Sequence, residues 1–449
     1  MEWWKKTGWF LSVFQAFPQG DTKRRSLSSQ PLRAGFISLS FYKKRLFWNN
    51  RFGFHFSGGF TLTINGEEIQ MRYYESGDEG AKALPVSVEE WEERARKKLA
   101  AGPFGYVHGG AGAGDTMRAN IDAFQKYRIR PRICCDTTKR DLSVTLLGKR
   151  FPFPFLLAPI GVLSILHPDA ELAVAQAAAK LGVPYILSNV STKSMEEVAE
   201  AMGDALRWFQ LYPPINSELS KSFLQRAEAA GYSAIVVTVD STLLGWRETD
   251  LSNVYLPFLT GQGMGNYFTD PVFLADLEEP PEKNLKAAVK KALDEGNNTH
   301  FTWKELERIK QQTPLPVLLK GVTHPDDAVL AVEHGVDGII VSNHGGRQLD
   351  GAVATLEALP SICDAVREKV PVILDSGVRR GADILKAVSL GASATLIGRP
   401  FAYALAVAGK MGVESVLENL IAETELQLGI SGRGSIREVD HSLVMKVEG

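Results

Sequence analysis

The chain reads as an α/β protein: a (β/α)8 TIM barrel with an N-terminal helical extension and a long loop after the fourth strand. Three observations predict this. Eight short apolar segments recur between about residue 150 and residue 410, and seven of them arrive at regular spacing. Each is followed by a segment with helical periodicity, the alternation that builds a closed parallel barrel. Each also ends on polar residues or glycine, where such barrels carry their active sites.

The bulk numbers agree. At 449 residues the chain is long enough for one large domain with extensions. It is 45% hydrophobic and 23% charged, and its net charge of −2 makes no case for nucleic acid or a stable membrane association. Three cysteines, Cys134, Cys135 and Cys363, form neither a disulfide framework nor a metal-ligand pattern, so no metal is expected and a reducing cytoplasm is the simplest compartment.

Residues 1–60 stand apart as a basic, aromatic-containing extension. Trp3, Trp4 and Trp9 accompany Lys23-Arg24-Arg25 and Lys43-Lys44-Arg45, while Glu2 and Asp21 are the only acids. A transit-like segment is one reading. A poorly ordered or artefactual extension is the preferred one, because no helical stripe emerges. Residues 61–449 form the second unit, with Met71 close to where organised sequence begins. Ser87-Val88-Glu89-Glu90 reads as a capping box opening a helix from Trp91 to Leu99. Gly102 to Gly112 reads as a glycine-rich loop, and Arg118 to Tyr127 as another helix.

The barrel strands are expected at Phe155–Ala158, Tyr185–Ser188, Trp208–Leu211, Ala234–Thr238, Val317–Lys320, Ile339–Ser342, Val372–Asp375 and Ala394–Ile397. Helices are expected at Ala170–Leu181, Met195–Met202, Leu219–Ala230, Pro325–His334, Ala354–Val366 and Gly381–Leu390, with a closing helix at Val413–Leu428. The irregular interval, 241–312, has the length of a lid over the barrel mouth.

The stretch with the most chemical content is Ser342-Asn343-His344-Gly345-Gly346-Arg347-Gln348. A proton acceptor sits three residues from a planar carboxylate clamp. A solvated strand-end turn is the bland alternative, but it leaves the two adjacent glycines unexplained. They suggest close backbone approach to a ligand. Around the other strand ends lie Pro159 and Gly161, Ser188, Gln210 and Tyr212, Thr238, Asp240 and Arg247, Lys320, Asp375, Gly377 and Arg379, and Gly398-Arg399. The glycines and arginines after strands seven and eight suit a phosphate. Arg247 and Arg347 suit a second, carboxylate-like anion.

This motif resembles that of the FMN-dependent 2-hydroxy acid dehydrogenases and oxidases. So do Arg130-Pro131-Arg132, Phe209-Gln210-Leu211-Tyr212, Thr238-Val239-Asp240, Leu319-Lys320-Gly321, Asp375-Ser376-Gly377-Val378-Arg379-Arg380-Gly381 and Ile397-Gly398-Arg399-Pro400. The resemblance runs from about Pro85 to the C-terminus. The insertion with Tyr255-Leu256-Pro257-Phe258, and Ser376 where glycolate oxidases have glycine, resemble the lactate 2-monooxygenase branch.

The resemblance implies FMN as cofactor and a homo-oligomer, tetramer or octamer. It implies His344 as the base, oriented by Asp240. Arg247 and Arg347 would bind the substrate carboxylate, with hydrogen bonds from Tyr106 and Tyr212, and Lys320 would sit beside the flavin. Pro159, Gly161, Ser188, Gln210, Thr238 and Ser342 would line the flavin ring and ribityl chain. Asp375, Gly377, Arg379, Gly398 and Arg399 would hold ribityl and phosphate. The reaction expected is L-lactate with dioxygen to acetate, carbon dioxide and water. An oxidase or dehydrogenase giving pyruvate is the first alternative, and a non-redox phosphate-binding barrel a remote one. Gly161, where oxidases of the family carry alanine, is expected to leave room for a retained 2-oxo acid.

Overall fold

The computed structural model describes residues 65–76 and 84–447, so the expectation for residues 1–60 lies outside the described residues. The eight apolar segments form the parallel strands β1 (Phe155–Leu157), β2 (Tyr185–Ser188), β3 (Arg207–Leu211), β4 (Ile235–Thr238), β5 (Val317–Val322), β6 (Gly338–Val341), β7 (Val372–Leu374) and β8 (Ala394–Ile397). They pair in sequence order, and β8 returns to β1 to close the barrel. Nearly all their residues are buried, as expected where helices cover the outside and side chains fill the inside.

Successive side chains of a strand point to opposite faces. One set, including Leu156, Ile186, Trp208, Val236, Leu318, Ile340, Ile373 and Leu396, packs together with Leu146 and Phe151 as a separate core. The last two come from a hairpin, Val144–Leu146 with Lys149–Phe151, that the sequence reading did not anticipate. Its two-residue turn holds Leu147 at φ 50° and Gly148 at φ 76°, the pair of positive angles that suits the twist of a tight hairpin. Phe151 meets Trp208 edge to face at 5.8 Å.

Several expectations are corrected. The glycine-rich segment begins as a helix, Ala101–His108, and becomes a loop only afterwards. Its glycines serve packing: a Cβ on Gly102 would lie 2.6 Å from the Tyr255 ring. The helix after it ends at Asp122, and Tyr127 opens a short strand paired with Val444–Lys446. Ser87 caps the helix Val88–Lys98, but Glu90 binds Arg94 instead of closing the box. A further helix, Gly66–Glu75, contains Met71 and docks through Tyr73 Oη donating to Asn419. The closing helix is longer than expected, running with the last barrel helix from Arg399 to Ile430 and broken at Ala408 and Gly409. There a Cβ on Gly409 would lie 2.8 Å from His167 Nε2.

The interval 241–312 is not one lid. Its last part, Trp303–Gln311, is the helix between β4 and β5, opened by a Thr302/Glu305 capping box. Its middle is anchored in the core by Asn266, whose amide donates to Asn189 O and Ser191 Oγ and accepts from Met195 N. Its first part, as far as Tyr267, reaches the cavity described below together with Ala292, Leu293, Gly296 and Asn297.

Trp208 is the largest side chain inside the barrel and is 2% exposed. Trp208→Ala is expected to lower unfolding free energy by about 3–5 kcal/mol. Chemical denaturation measures this, and a loss below about 1 kcal/mol would mean that the barrel floor does not depend on it.

Candidate active site

After β6 the chain turns through three successive left-handed residues, His344 (φ 60°), Gly345 (φ 67°) and Gly346 (φ 75°). A histidine held there costs roughly 1–2 kcal/mol. Side chains hold all three amides. His344 N donates to Ser342 Oγ at 3.0 Å, Gly345 N to Ser376 Oγ at 2.9 Å, and Gly346 N to Asn343 Oδ1 at 3.1 Å. Ser376 is itself left-handed, at φ 83°. The glycines do require a close approach, but to protein. A Cβ on Gly346 would lie 2.5 Å from Met117 N, and one on Gly345 would lie 2.9 Å from Arg399 Nη1.

The turn delivers His344 to Asp240, at the end of β4. His344 Nδ1 lies 2.9 Å from Asp240 Oδ1, and Nε2 lies 3.4 Å from Tyr212 Oη. Gly321 makes room for the carboxylate, since a Cβ there would lie 2.7 Å from Asp240 Cβ. Burial alone would raise the Asp240 carboxyl, but His344, Lys320 and hydrogen bonds from His344 and Ser241 outweigh it and hold the group at about 2. Burial pulls His344 below its ordinary value, and the Lys320 and Arg247 charges add to this against the support of Asp240. A neutral imidazole with its proton on Nδ1 and an open Nε2 follows from an ionised acceptor at Nδ1. Burial raises the Tyr212 hydroxyl, which stays a donor.

The arginines are less symmetric than expected. Arg347 spends Nη1 on the carbonyls of Tyr106 and Gly109, at 2.5 and 2.8 Å. Its Nε and Nη2 edge has no protein partner among the described residues. Arg247 spends that edge on the turn itself: Nε donates to Arg347 O at 3.1 Å and Nη2 to Gln348 Oε1 at 2.9 Å. Arg247 therefore grips the turn, and Arg347 offers the planar edge that fits a carboxylate. Both guanidinium groups flank the Tyr106 ring, at 6.0 and 5.1 Å. Burial, then the neighbouring Arg247 charge, lowers Arg347 to about 9, so an anion between them relieves the repulsion. Gln348, to which the sequence reading gave no role, also donates to Asp240 O and Leu243 O and ties the turn to the segment after β4.

These groups face a cavity of about 370 Å³. Of the residues expected at the site, Tyr106, Pro159, Gly161, Tyr212, Arg247, Lys320, His344, Arg347, Asp375, Gly377, Arg379, Gly398 and Arg399 line it. Asp240 and Ser342 stand behind it, bonded to His344 and Lys320, and Ser188, Gln210 and Thr238 are not among its lining residues. Three of the lining residues also have protein contacts that the sequence does not show. The Arg399 guanidinium gives three of its five N–H groups to the carbonyls of Val107, Gly109 and Gly345. A Cβ on Gly377 would lie 2.2 Å from Asn120 O, so this glycine serves packing. A Cβ on Gly161 would lie 2.6 Å from Val190 Cγ2 and 2.8 Å from Val190 O, so its missing methyl makes room for Val190 and not for a retained product.

Lys320 Nζ donates to Ser342 Oγ at 3.0 Å and pairs with Asp375 at 3.2 Å, and Ser342 donates to Asp375 at 2.7 Å. Burial opposes the Lys320 charge, but Asp375 and Asp240 outweigh it and raise the group. Two strand-end side chains are left unmatched. Both amide atoms of Gln210 and the hydroxyl of Thr238 are buried without partners, a cost of roughly 1–3 kcal/mol for each group. Gln210 pairs in register with Ser188, and Thr238 with Lys320. Gln210 is itself opposite Val236, so the hydrogen-bonding capacity across β2 to β5 steps two residues along β4 to reach Thr238. Such a set fits the polar edge of a flavin ring. Arg379 and the N-terminus of the helix starting at Arg399 fit its phosphate.

Fold and cavity define the class: a (β/α)8-barrel oxidoreductase with a cofactor site at the C-terminal mouth. The family model described as FMN-dependent dehydrogenase matches residues 95–446, and the chain belongs to that family. An L-lactate oxidase of Lysinibacillus sphaericus is 47% identical over 366 residues, covering 82% of this chain and 94% of that protein. An FMN-dependent alpha-hydroxy acid dehydrogenase of Penicillium citrinum is 39% identical over 389 residues, covering 86% and 97%. A crystal structure of mandelate oxidase aligns with a TM-score of 0.72 at 37% identity, covering 81% of this chain and 99% of that one. The cofactor is FMN, and the reaction class is oxidation of a 2-hydroxy acid. These relatives carry the names of oxidases and dehydrogenases, so the comparisons support that class and leave the monooxygenase subtype without support of its own. Among the described residues, no helix is long and apolar enough to cross a membrane.

The pair makes a signed pH prediction. With His344 as base, kcat/KM falls as pH drops through its depressed pKa and levels off above it. Asp240→Asn removes the interaction that raises His344, so the acid limb moves to lower pH while kcat falls roughly 10²–10⁴-fold. Steady-state rates between pH 4.5 and 8 measure this, and an unmoved limb would contradict the pairing.

Proposed function

We propose that the chain oxidises a small aliphatic L-2-hydroxy acid of the lactate class to the 2-oxo acid, with dioxygen as electron acceptor. The observation that carries this is the open Nε and Nη2 edge of Arg347 in the same cavity as Nε2 of His344, whose Nδ1 is engaged by Asp240. The edge holds the substrate carboxylate and Tyr212 donates to it or to the hydroxyl. His344 Nε2 takes the substrate proton, and Asp240 stabilises the imidazolium that results. FMN, once bound, accepts the electron pair. Lactate and dioxygen give pyruvate and hydrogen peroxide. A homo-oligomer, held in a reducing cytoplasm, belongs to the same reading.

The second reading is the lactate 2-monooxygenase outcome, in which peroxide reacts with retained pyruvate to give acetate, carbon dioxide and water. It is favoured by Leu243, Leu244, Leu256 and Phe258, which the segment after β4 brings to the cavity wall. A closed cover slows product release. The position of Gly161 no longer favours it, and Gly161→Ala reports on packing against Val190. Product analysis with L-lactate in air separates the two. Pyruvate with stoichiometric peroxide is the expected result. Acetate with carbon dioxide establishes the second reading, and an absence of both with no flavin reduction removes the lactate class.

A further inference from the structure

Asp240 and His344 are not alone. Ser241 Oγ lies 2.8 Å from Asp240 Oδ1 and 3.0 Å from His344 Nδ1, and these two atoms are themselves 2.9 Å apart. The three polar atoms close a triangle. Asp240 Oδ2 has no partner among the described residues, where every hydrogen bond to this carboxylate enters through Oδ1. A hydroxyl has one proton. The ionised carboxylate is acceptor only, so the Ser241 proton is committed to Oδ1, and what Ser241 presents to Nδ1 is a lone pair. The Nδ1 proton is then shared by two acceptors, and the open lone pair is fixed on Nε2, facing Tyr212 Oη and the cavity.

We propose that Ser241 is a positioning residue of the proton-abstracting pair, setting the imidazole orientation and limiting how strongly Asp240 supports the imidazolium. The inference rests on the base assignment of His344 made above. Two effects follow from one hydroxyl. Its oxygen holds the ring plane from the Nδ1 side. Its proton occupies the Oδ1 charge that would otherwise serve the imidazolium alone. The other groups facing His344 are Lys320 from β5, Arg247 beyond β4, Arg347 from the same turn, Tyr212 beyond β3, and Tyr106 across the cavity. None of these bonds to the Ser241 side chain, whose partners are Asp240 and His344.

The test is the pH dependence of kcat and kcat/KM for L-lactate in the FMN-loaded parent, Ser241→Ala and Ser241→Thr. Removing the hydroxyl takes a neutral acceptor from Nδ1 but returns the full Oδ1 charge to it, and because a charged acceptor is about twice as strong as a neutral one, the acid limb is expected to move to higher pH by roughly half a unit to one unit. The same variant is expected to lose severalfold in kcat with KM little changed, because carboxylate binding is elsewhere. Ser241→Thr keeps the hydroxyl and is expected to restore the parent profile. A purely structural role would move thermal stability without moving the limb. A Ser241→Ala profile superimposable on the parent, or displaced to lower pH, overturns the inference. An acid limb missing from the parent itself would instead sink the base assignment of His344, which keeps the two failures distinguishable.

Discussion

Everything at this site depends on a turn that no ordinary sequence would hold. Three successive residues lie in the left-handed region, and the first is a histidine. The turn persists because its environment over-determines it. Ser342, Ser376 and Asn343 hold its three amides, and Asn343 exchanges two hydrogen bonds of 2.8 Å with Asn120. Arg247 grips the carbonyl of Arg347. The strain is thus offset by contacts from β6, β7, the segment after β4 and the helical extension. Imidazole, carboxylate and guanidinium edge are pre-set, and little reorganisation is left for the reaction.

The same economy explains the electrostatics. Burial depresses the imidazole and raises the tyrosine hydroxyl, while Lys320 and Asp375 compensate one another two strands away. A neutral base stands beside an ionised carboxylate. An arginine that burial has made less comfortable waits for an anion. Binding of a carboxylate then improves the free site instead of merely filling it.

Much of this was legible in the sequence. Short apolar runs marked the strands to within about two residues, because a parallel strand buried on both faces leaves an uninterrupted apolar run. The polar residues that follow them marked the mouth. What was not legible depended on spatial neighbours. Gly102 read as a loop residue because its partner, Tyr255, lies far along the chain. Gly346 pointed to a ligand because Met117 could not be seen. Arg247 and Arg347 looked equivalent, since nothing in their spacing tells which guanidinium edge faces the cavity. Gly161 carried an inference about product retention that a single contact with Val190 removes. Ser241 lay beside Asp240 in plain view, but only distances show that it bridges to the imidazole.

The central claim is that His344 takes the proton while the cavity holds the cofactor independently of it. The most direct measurement is anaerobic rapid mixing of L-lactate with FMN-loaded His344→Gln, following flavin absorbance. The account predicts a yellow protein of normal flavin content, reduced at least about 10²–10⁴-fold more slowly than the parent. Flavin reduction at close to the parent rate would contradict it.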